Sequence, residues 1–308
     1  MWILDRAVAA TLPAVPRPIV RHFAARYMAG ETLDQALAVV RDLQRQGVTA
    51  TIDVLGESIR RVEAAEQTAR QYAGVLEAIE RDRLPANISV KLSALGLEIA
   101  PERAAELIAG LVADARDRGG IFVRIDMEHS GLTDQTLDLY KRLRNDGLDN
   151  VGIVLQAYLM RTLDDVDALA PLTPRVRLVK GIYVEPPRIS YRQMPAINRN
   201  FMRLLERLVE LGGHVAIATH DRALIDHALR LIDHHDLAPD RYEFQMLLGV
   251  AEDVRGRLVA AGHPTRVYVP FGEAWYAYSV RRLRENPSLA GYVARDAVRS
   301  LLPVGGGS

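Results

Sequence analysis

Short β-branched runs alternate along the chain with longer stretches of Ala, Leu, Arg and Glu. The runs are Gly47–Val54, Asn87–Ser93, Ile121–Asp126, Val151–Gln156, Arg175–Lys180, His214–Thr219, Tyr242–Met246 and Arg266–Val269. The stretches between them include Ser58–Arg81, Pro101–Asp117, Asp134–Arg144, Asn198–Leu211, Arg222–His234 and Ala251–Ala261. The pitch of about 25–35 residues is that of one βα unit. Strands alternating with helices imply a parallel sheet, and eight such units predict a (βα)8 barrel rather than an open doubly wound sheet. No G-x-G-x-x-G follows the first run, which weighs against a dinucleotide-binding fold. Before the first run, Ile19–Met28 and Leu33–Gln46 place apolar residues at helical spacing, with Thr32 positioned as the cap of the second helix. The expected organisation is a helical N-terminal extension over 1–46, a barrel over 47–302 that ends in a short helix from Ser288 to Leu302, and a flexible Gly-rich tail over 303–308.

A chain of 308 residues suffices for one such barrel, and 49% apolar with 25% charged residues suits a globular protein. Lys and Arg total 39 and Asp and Glu total 39, so overall charge gives no case for a nucleic acid or an anionic membrane as partner. The chain has no cysteine, which excludes disulfides, thiolate nucleophiles and Cys-bound zinc. Charges interrupt every apolar run before it reaches membrane-spanning length. The apolar start is broken by Asp5 and Arg6 with no basic segment ahead of it, so it reads as an amphipathic helix rather than a signal peptide. The expected location is cytoplasmic, with at most peripheral contact at the inner face of the cell membrane.

In a barrel of this kind, function sits where the strands end. The second run carries Lys91 and Ser93; the third ends at Asp126, followed by Met127, Glu128 and His129. The fourth ends in Gln156 and the fifth holds Arg177, Leu178 and Lys180, with Gly181 and Tyr183 just beyond. The sixth ends in Thr219 and His220, the seventh holds Glu243 and Gln245 with Leu247 after it, and the eighth holds Tyr268. The stretch Gly272–Pro287 reads as a helix. It puts Tyr278, Arg281, Arg282 and Glu285 on one face, at offsets 0, 3, 4 and 7. Two adjacent guanidiniums repel unless an anion lies between them. Glu285 can neutralise one, leaving the other to hold a carboxylate or phosphate in a forked pair. Each feature has a bland reading: a solvated helix face, a structural Lys91–Asp126 pair, a His220 that neighbours a helix cap, an Asp53 that supports the site or only caps a helix. Together they describe a cationic, tyrosine-walled end of a barrel that binds an anion larger than one phosphate. Tyr72 and Tyr140 read as helix packing positions, and Glu185–Ala196, with three prolines, as a candidate lid.

Seven ordered stretches carry a resemblance. They are Ile88–Leu95 (ISVKLSAL), Val123–Glu128 (VRIDME), Val154–Tyr158 (VLQAY), Arg177–Tyr183 (RLVKGIY), Ala218–His220 (ATH), Tyr242–Gln245 (YEFQ) and Tyr276–Glu285 (YAYSVRRLRE). The chain resembles the proline dehydrogenase family in its small monofunctional bacterial form, from about residue 47 to 290. The resemblance implies a distorted (βα)8 barrel of the TIM type that binds FAD without a covalent link. It implies oxidation of L-proline to Δ1-pyrroline-5-carboxylate by hydride transfer from C5 to flavin N5, the electrons passing to a quinone. It assigns the proline carboxylate to Arg281 and Arg282 with Lys91 as a third cation, and the ring walls to Tyr183, Tyr268 and Tyr278 with Leu178 and Leu247. Arg177 would lie near flavin N5, Asp126 would pair with Lys91 or an arginine, and Glu285 would orient an arginine. Gln156, Lys180, Gly181, Thr219 and His220 would contact FAD. A downstream dehydrogenase for pyrroline-5-carboxylate or its open semialdehyde would take the product.

Two rivals stand beside this reading. A Schiff-base lyase would use Lys91 or Lys180 as an amine nucleophile lowered in pKa by neighbouring cations. A non-catalytic barrel would bind an anionic metabolite without turning it over. A metal hydrolase is disfavoured because the histidines lack ligand spacing at the strand ends.

Overall fold

The structure, a computed structural model, describes residues 26–276 apart from 57 and 58, together with residue 279. The elements alternate as the pattern requires. Helix α1 (Leu33–Arg45) precedes β1 (Thr49–Val54), α2 (Val62–Arg81), β2 (Ala86–Val90), α3 (Pro101–Asp117), β3 (Val123–Ile125), α4 (Thr133–Asn145) and β4 (Val151–Gln156). Then follow α5 (Thr162–Leu169), β5 (Arg175–Val179), α6 (Met194–Glu210), β6 (His214–Ala218), α7 (Arg222–His234), β7 (Tyr242–Leu247), α8 (Glu252–Ala260) and β8 (Thr265–Phe271). Every strand pairs in parallel with its sequence neighbours, and β8 closes on β1 through Thr49↔Arg266 to Val54↔Phe271. The expected barrel is therefore present and closed.

Local chemistry explains several boundaries. Thr32 caps α1, as expected, in a reciprocal box with Gln35: the Gln35 backbone N–H donates to the Thr32 hydroxyl, and the Thr32 N–H to the Gln35 side chain. The apolar face of α1 (Ala36, Leu37, Val40 and Leu43) is buried in the main core. Pro101 opens α3, where a missing N–H costs nothing. Helix α5, which the apolar pattern did not reveal, begins at Thr162, whose hydroxyl donates to the Gln156 carbonyl at 2.6 Å. Among the described residues, no helix is long and apolar enough to cross a membrane. The sequence expectation of a helix over Ile19–Met28 lies mostly outside the described residues, and Arg26–Met28 form a turn and bend.

One apolar core lies between the strands' outer faces and the helices, while most inward side chains of the barrel are polar. Alternation points Asp53, Ser89, Arg124, Arg177, Glu243, Gln245, Arg266 and Tyr268 inward. Arg124 lies 1% exposed near the closed end, stacked 4.8 Å over the ring of Phe122, and donates to the carbonyls of Ile153 (3.1 Å) and Arg175 (2.6 Å). Gly152 makes room for it, since a Cβ there would lie 2.5 Å from the Arg124 Nη1.

His214 opens β6 at the same end, and its Nδ1 is buried without a hydrogen-bond partner. Burial lowers its pKa from 6.5 to about 4, with Glu243 opposing and Arg124, Arg175 and Arg266 adding to the fall. The folded protein holds this imidazole neutral, while the unfolded chain takes up a proton below 6.5. Its contribution to stability is therefore complete above pH 6.5 and is lost as pH falls towards 4. Between pH 7 and 4.5 the loss is about 2 kcal/mol. In urea unfolding at those two pH values, His214→Gln should lose less stability than the parent chain by about that amount. Equal losses would show that His214 does not titrate on unfolding.

Candidate active site

The site begins with Asp53 at the end of β1, fully buried. Its carboxylate accepts from Lys91 Nζ at 2.8 Å, from the Tyr72 hydroxyl at 2.9 Å, and from the Tyr268 hydroxyl. The Tyr72 hydroxyl also lies 2.7 Å from the Ser89 carbonyl, and the Val54 N–H donates to it at 3.3 Å. Tyr72 is thus more than a packing position of α2: it ties that helix to the ends of β1 and β2. Asp53 supports the site and is not a helix cap.

Lys91 follows β2 and lies between two carboxylates, Asp53 and Asp126, the latter at 3.4 Å. Burial alone would lower its pKa, but Asp53, Tyr268 and Asp126 outweigh burial and hold it well above the usual lysine range. Asp126 in turn accepts from Arg177 Nη1 at 2.8 Å and from the Ser89 hydroxyl at 2.6 Å. Burial would raise its pKa, yet Lys91 and Arg177 bring it below the ordinary carboxylate value. The result is an alternating string of charge, Asp53–Lys91–Asp126–Arg177, with two anions facing two cations. Arg177 Nε donates to Gln245 Oε1 at 2.5 Å, and its Nη2 is buried with no hydrogen-bond partner.

Lys91, Asp126, Arg177, Gln245 and Tyr268 line a cavity of about 600 Å³, with Asp53 buried behind them. Of the residues expected at the site, Lys91, Asp126, Gln156, Arg177, Lys180 and Gly181 line it, as do Tyr183, Thr219, His220, Leu247 and Tyr268. Lys180 pairs with Asp221 at 2.7 Å, and Asp221 also accepts from Asn198 and caps α7 through the Ala223 N–H. His220 Nε2 accepts from the Leu247 N–H at 3.0 Å, which joins the ends of β6 and β7 and leaves the ring proton on Nδ1. Gly181 adopts φ +108°, and a Cβ there would overlap the ring of Tyr158, so only glycine suits this turn.

Leu178 is a correction. It is fully buried within the outer apolar core, while its neighbours Arg177 and Val179 line the cavity. Successive strand residues point to opposite faces, so Leu178 faces the helices and does not line the cavity. The candidate lid is also anchored. Glu185, 5% exposed, accepts from the Ser130 N–H and hydroxyl, both at 2.6 Å. Ser190 bridges to Leu159, and the Tyr191 N–H donates to the Tyr158 carbonyl at 2.7 Å. Tyr278, Arg281, Arg282 and Glu285 lie outside the described residues. The sequence reading placed Glu128 at a strand end but gave it no role; it accepts from the Ser93 N–H at 2.9 Å and from the Ser93 hydroxyl. Its own carbonyl accepts from the Gln156 amide at 2.9 Å and so fixes that cavity-lining side chain.

A closed parallel barrel with a charged, tyrosine-bearing cavity at the carboxyl ends of its strands defines a (βα)8-barrel enzyme. The family model for proline dehydrogenase matches residues 36–295, and the chain belongs to that family. It is 34% identical over 282 residues to proline dehydrogenase of Deinococcus radiodurans, covering 90% of this chain and 91% of that one. It is 35% identical over 265 residues to proline dehydrogenase 2 of Bacillus subtilis strain 168, covering 86% and 87%. Among solved structures it resembles proline utilization A from Bdellovibrio bacteriovorus inactivated by N-propargylglycine. The TM-score is 0.81 at 25% identity, over 92% of this chain and 36% of that longer one. The chain thus spans about a third of that structure and nearly the whole of the two shorter relatives.

Proposed function

We propose that this chain oxidises L-proline to Δ1-pyrroline-5-carboxylate with FAD as cofactor, the first step of proline catabolism, and passes the electrons to a quinone. One observation carries the reading. Arg177 lines the cavity with Asp126 and Gln245 fixing two of its nitrogens, while the buried Nη2 has no partner. A buried guanidinium donor kept without a protein partner suits an acceptor atom supplied by a bound group. The cavity volume falls within the range of cofactor sites.

FAD, when bound, supplies the hydride acceptor. Arg177 would stand beside it, and Gln156, Lys180, Gly181, Thr219 and His220 would hold it. Proline loses a hydride from C5 and a proton from its nitrogen, so two electrons leave with the hydride. The protein's task is positioning and exclusion of water. Lys91, with Arg281 and Arg282, would hold the carboxylate, while Tyr183, Tyr268, Tyr278 and Leu247 would enclose the ring. The Schiff-base reading fares worse, because Lys91 is held as an ammonium between two carboxylates and Lys180 is paired with Asp221. A downstream dehydrogenase would consume the product.

An absorbance spectrum tests the proposal. Purified protein should show flavin bands that bleach on adding proline. A colourless protein, or bands unchanged by proline, would overturn it.

Tyr268 bears on selectivity. Its hydroxyl is bonded to Asp53 and lies 3.3 Å from Lys91, so the ring cannot swing aside for a bulkier substrate. The phenol would crowd a 4-hydroxyl, and kcat/KM for proline should exceed that for 4-hydroxyproline by about tenfold or more. In Tyr268→Ser the ratio should shrink. Equal values in the parent enzyme would remove this role.

A further inference from the structure

The interior of the barrel below the cavity holds a polar chain that ends on Arg177. Gln245, 6% exposed, accepts from Arg177 Nε through Oε1 and donates through Nε2 to Glu243 Oε1 at 2.5 Å. Glu243, 8% exposed, is gripped by Arg266, whose Nε lies 3.0 and 2.9 Å from its two oxygens. Arg266 is itself held by the Ala50 carbonyl at 2.7 Å. Glu243 does not line the cavity.

A primary amide can present either its oxygen or its NH2 to a neighbour, and nothing in Gln245 alone decides which. Glu243 decides it. An ionised carboxylate only accepts hydrogen bonds, so the NH2 of Gln245 must face Glu243 and its oxygen must face Arg177. Burial would favour the protonated acid, but Arg266 and the Gln245 amide bring the Glu243 pKa below its ordinary value. With Nε taken by Gln245 and Nη1 by Asp126 and Ser89, Nη2 is the nitrogen left over. We infer that Glu243 is a positioning residue: from the closed side of the barrel, through the amide of Gln245, it sets which edge of the Arg177 guanidinium is offered to the cavity. The inference rests on the reading of Arg177 as the residue beside the flavin.

The test exchanges the two side chains. In Glu243→Gln, a single amide oxygen must serve both Arg266 and Gln245; where it turns to Arg266, the Gln245 NH2 faces another NH2 and its hold on Arg177 Nε loosens. In Gln245→Glu, two carboxylates abut. In the double exchange, Glu at 245 accepts from Arg177 Nε and from the amide at 243, whose oxygen accepts from Arg266; every polarity is restored. Holoenzymes of the parent, Glu243→Gln and the double exchange are compared by steady-state kinetics with proline and by the reduction potential of the bound flavin. Glu243→Gln should lower kcat about tenfold with KM within about twofold, because the residues assigned to proline are untouched. It should also lower the flavin potential, since a displaced guanidinium stabilises the reduced cofactor less. The double exchange should recover both. Parent-like kcat and potential in Glu243→Gln would overturn the inference, as would a double exchange no better than the single variant. If Glu243→Gln does not fold, the double exchange carries the test: parent-like potential and kcat support the inference, and loss of both overturns it. Failure of the parent enzyme to bleach with proline would instead overturn the proposed function.

Discussion

Asp53→Asn should lower the melting temperature by roughly 10 °C, a loss of about 3–5 kcal/mol. Asp53 is fully buried and accepts from Lys91, Tyr72 and Tyr268. An amide keeps the shape but removes the charge that faces Lys91. It also directs two N–H groups at neighbours, some of which can only donate. Lys91 is left with Asp126 at 3.4 Å, already shared with Arg177, so two cations compete for one carboxylate. Breaking one side of a buried pair is costlier than never having had it. The double variant Asp53→Asn/Lys91→Met should therefore recover more than half of the lost stability, although it removes a cation assigned to the substrate. Thermal melts of the three proteins decide the matter. A single variant melting within about 2 °C of the parent would show that Asp53 does not anchor the network.

The barrel was legible in the sequence because its outer layer is apolar and its strands recur at one pitch. Val151–Gln156 is a strand from end to end, as the β-branched run implies, and Pro101–Asp117 and Arg222–His234 are helices with the expected limits. β3 is shorter than its run: past Ile125 the chain donates from the Asp126 N–H to the Val90 carbonyl and then turns its side chain to the site. The charged network in and behind the cavity was legible only in part. Lys91, Asp126 and Arg177 stand out as charges at strand ends, but Asp53 and Tyr72 meet through the closure of the sheet and the packing of a helix on it, which no spacing in the chain reveals. Leu178 was misplaced by ignoring strand parity: a residue beside a cavity-lining arginine faces the helices. Glu243 and Gln245, two apart, share the interior face by that same rule, and the rule also separates their roles, one nearer the closed end and the other at the cavity.

Arg177→Lys should reduce kcat for proline by about 10²–10³, with Arg177→Met at least as severe. The two substitutions separate charge from geometry. The guanidinium fixes itself with Nε on Gln245 and Nη1 on Asp126 and Ser89, and so holds Nη2 in place without a partner of its own. A lysine ammonium can preserve the ion pair with Asp126 but lacks the rigid fork, so it cannot satisfy that pair, reach Gln245 and still offer a positioned donor. If the positive charge alone mattered, Lys would retain most of the rate and only Met would fail. If the positioned donor matters, Lys and Met should both fall steeply. Met should additionally melt lower, because Asp126 would then face Lys91 alone. On the proposed reaction the loss belongs to kcat, since the carboxylate and ring of proline are assigned to other residues. Stopped-flow bleaching of the flavin by saturating proline reads that step directly. Parent-like bleaching in Arg177→Lys would remove the donor role and leave Arg177 only its part in the charge string with Asp126.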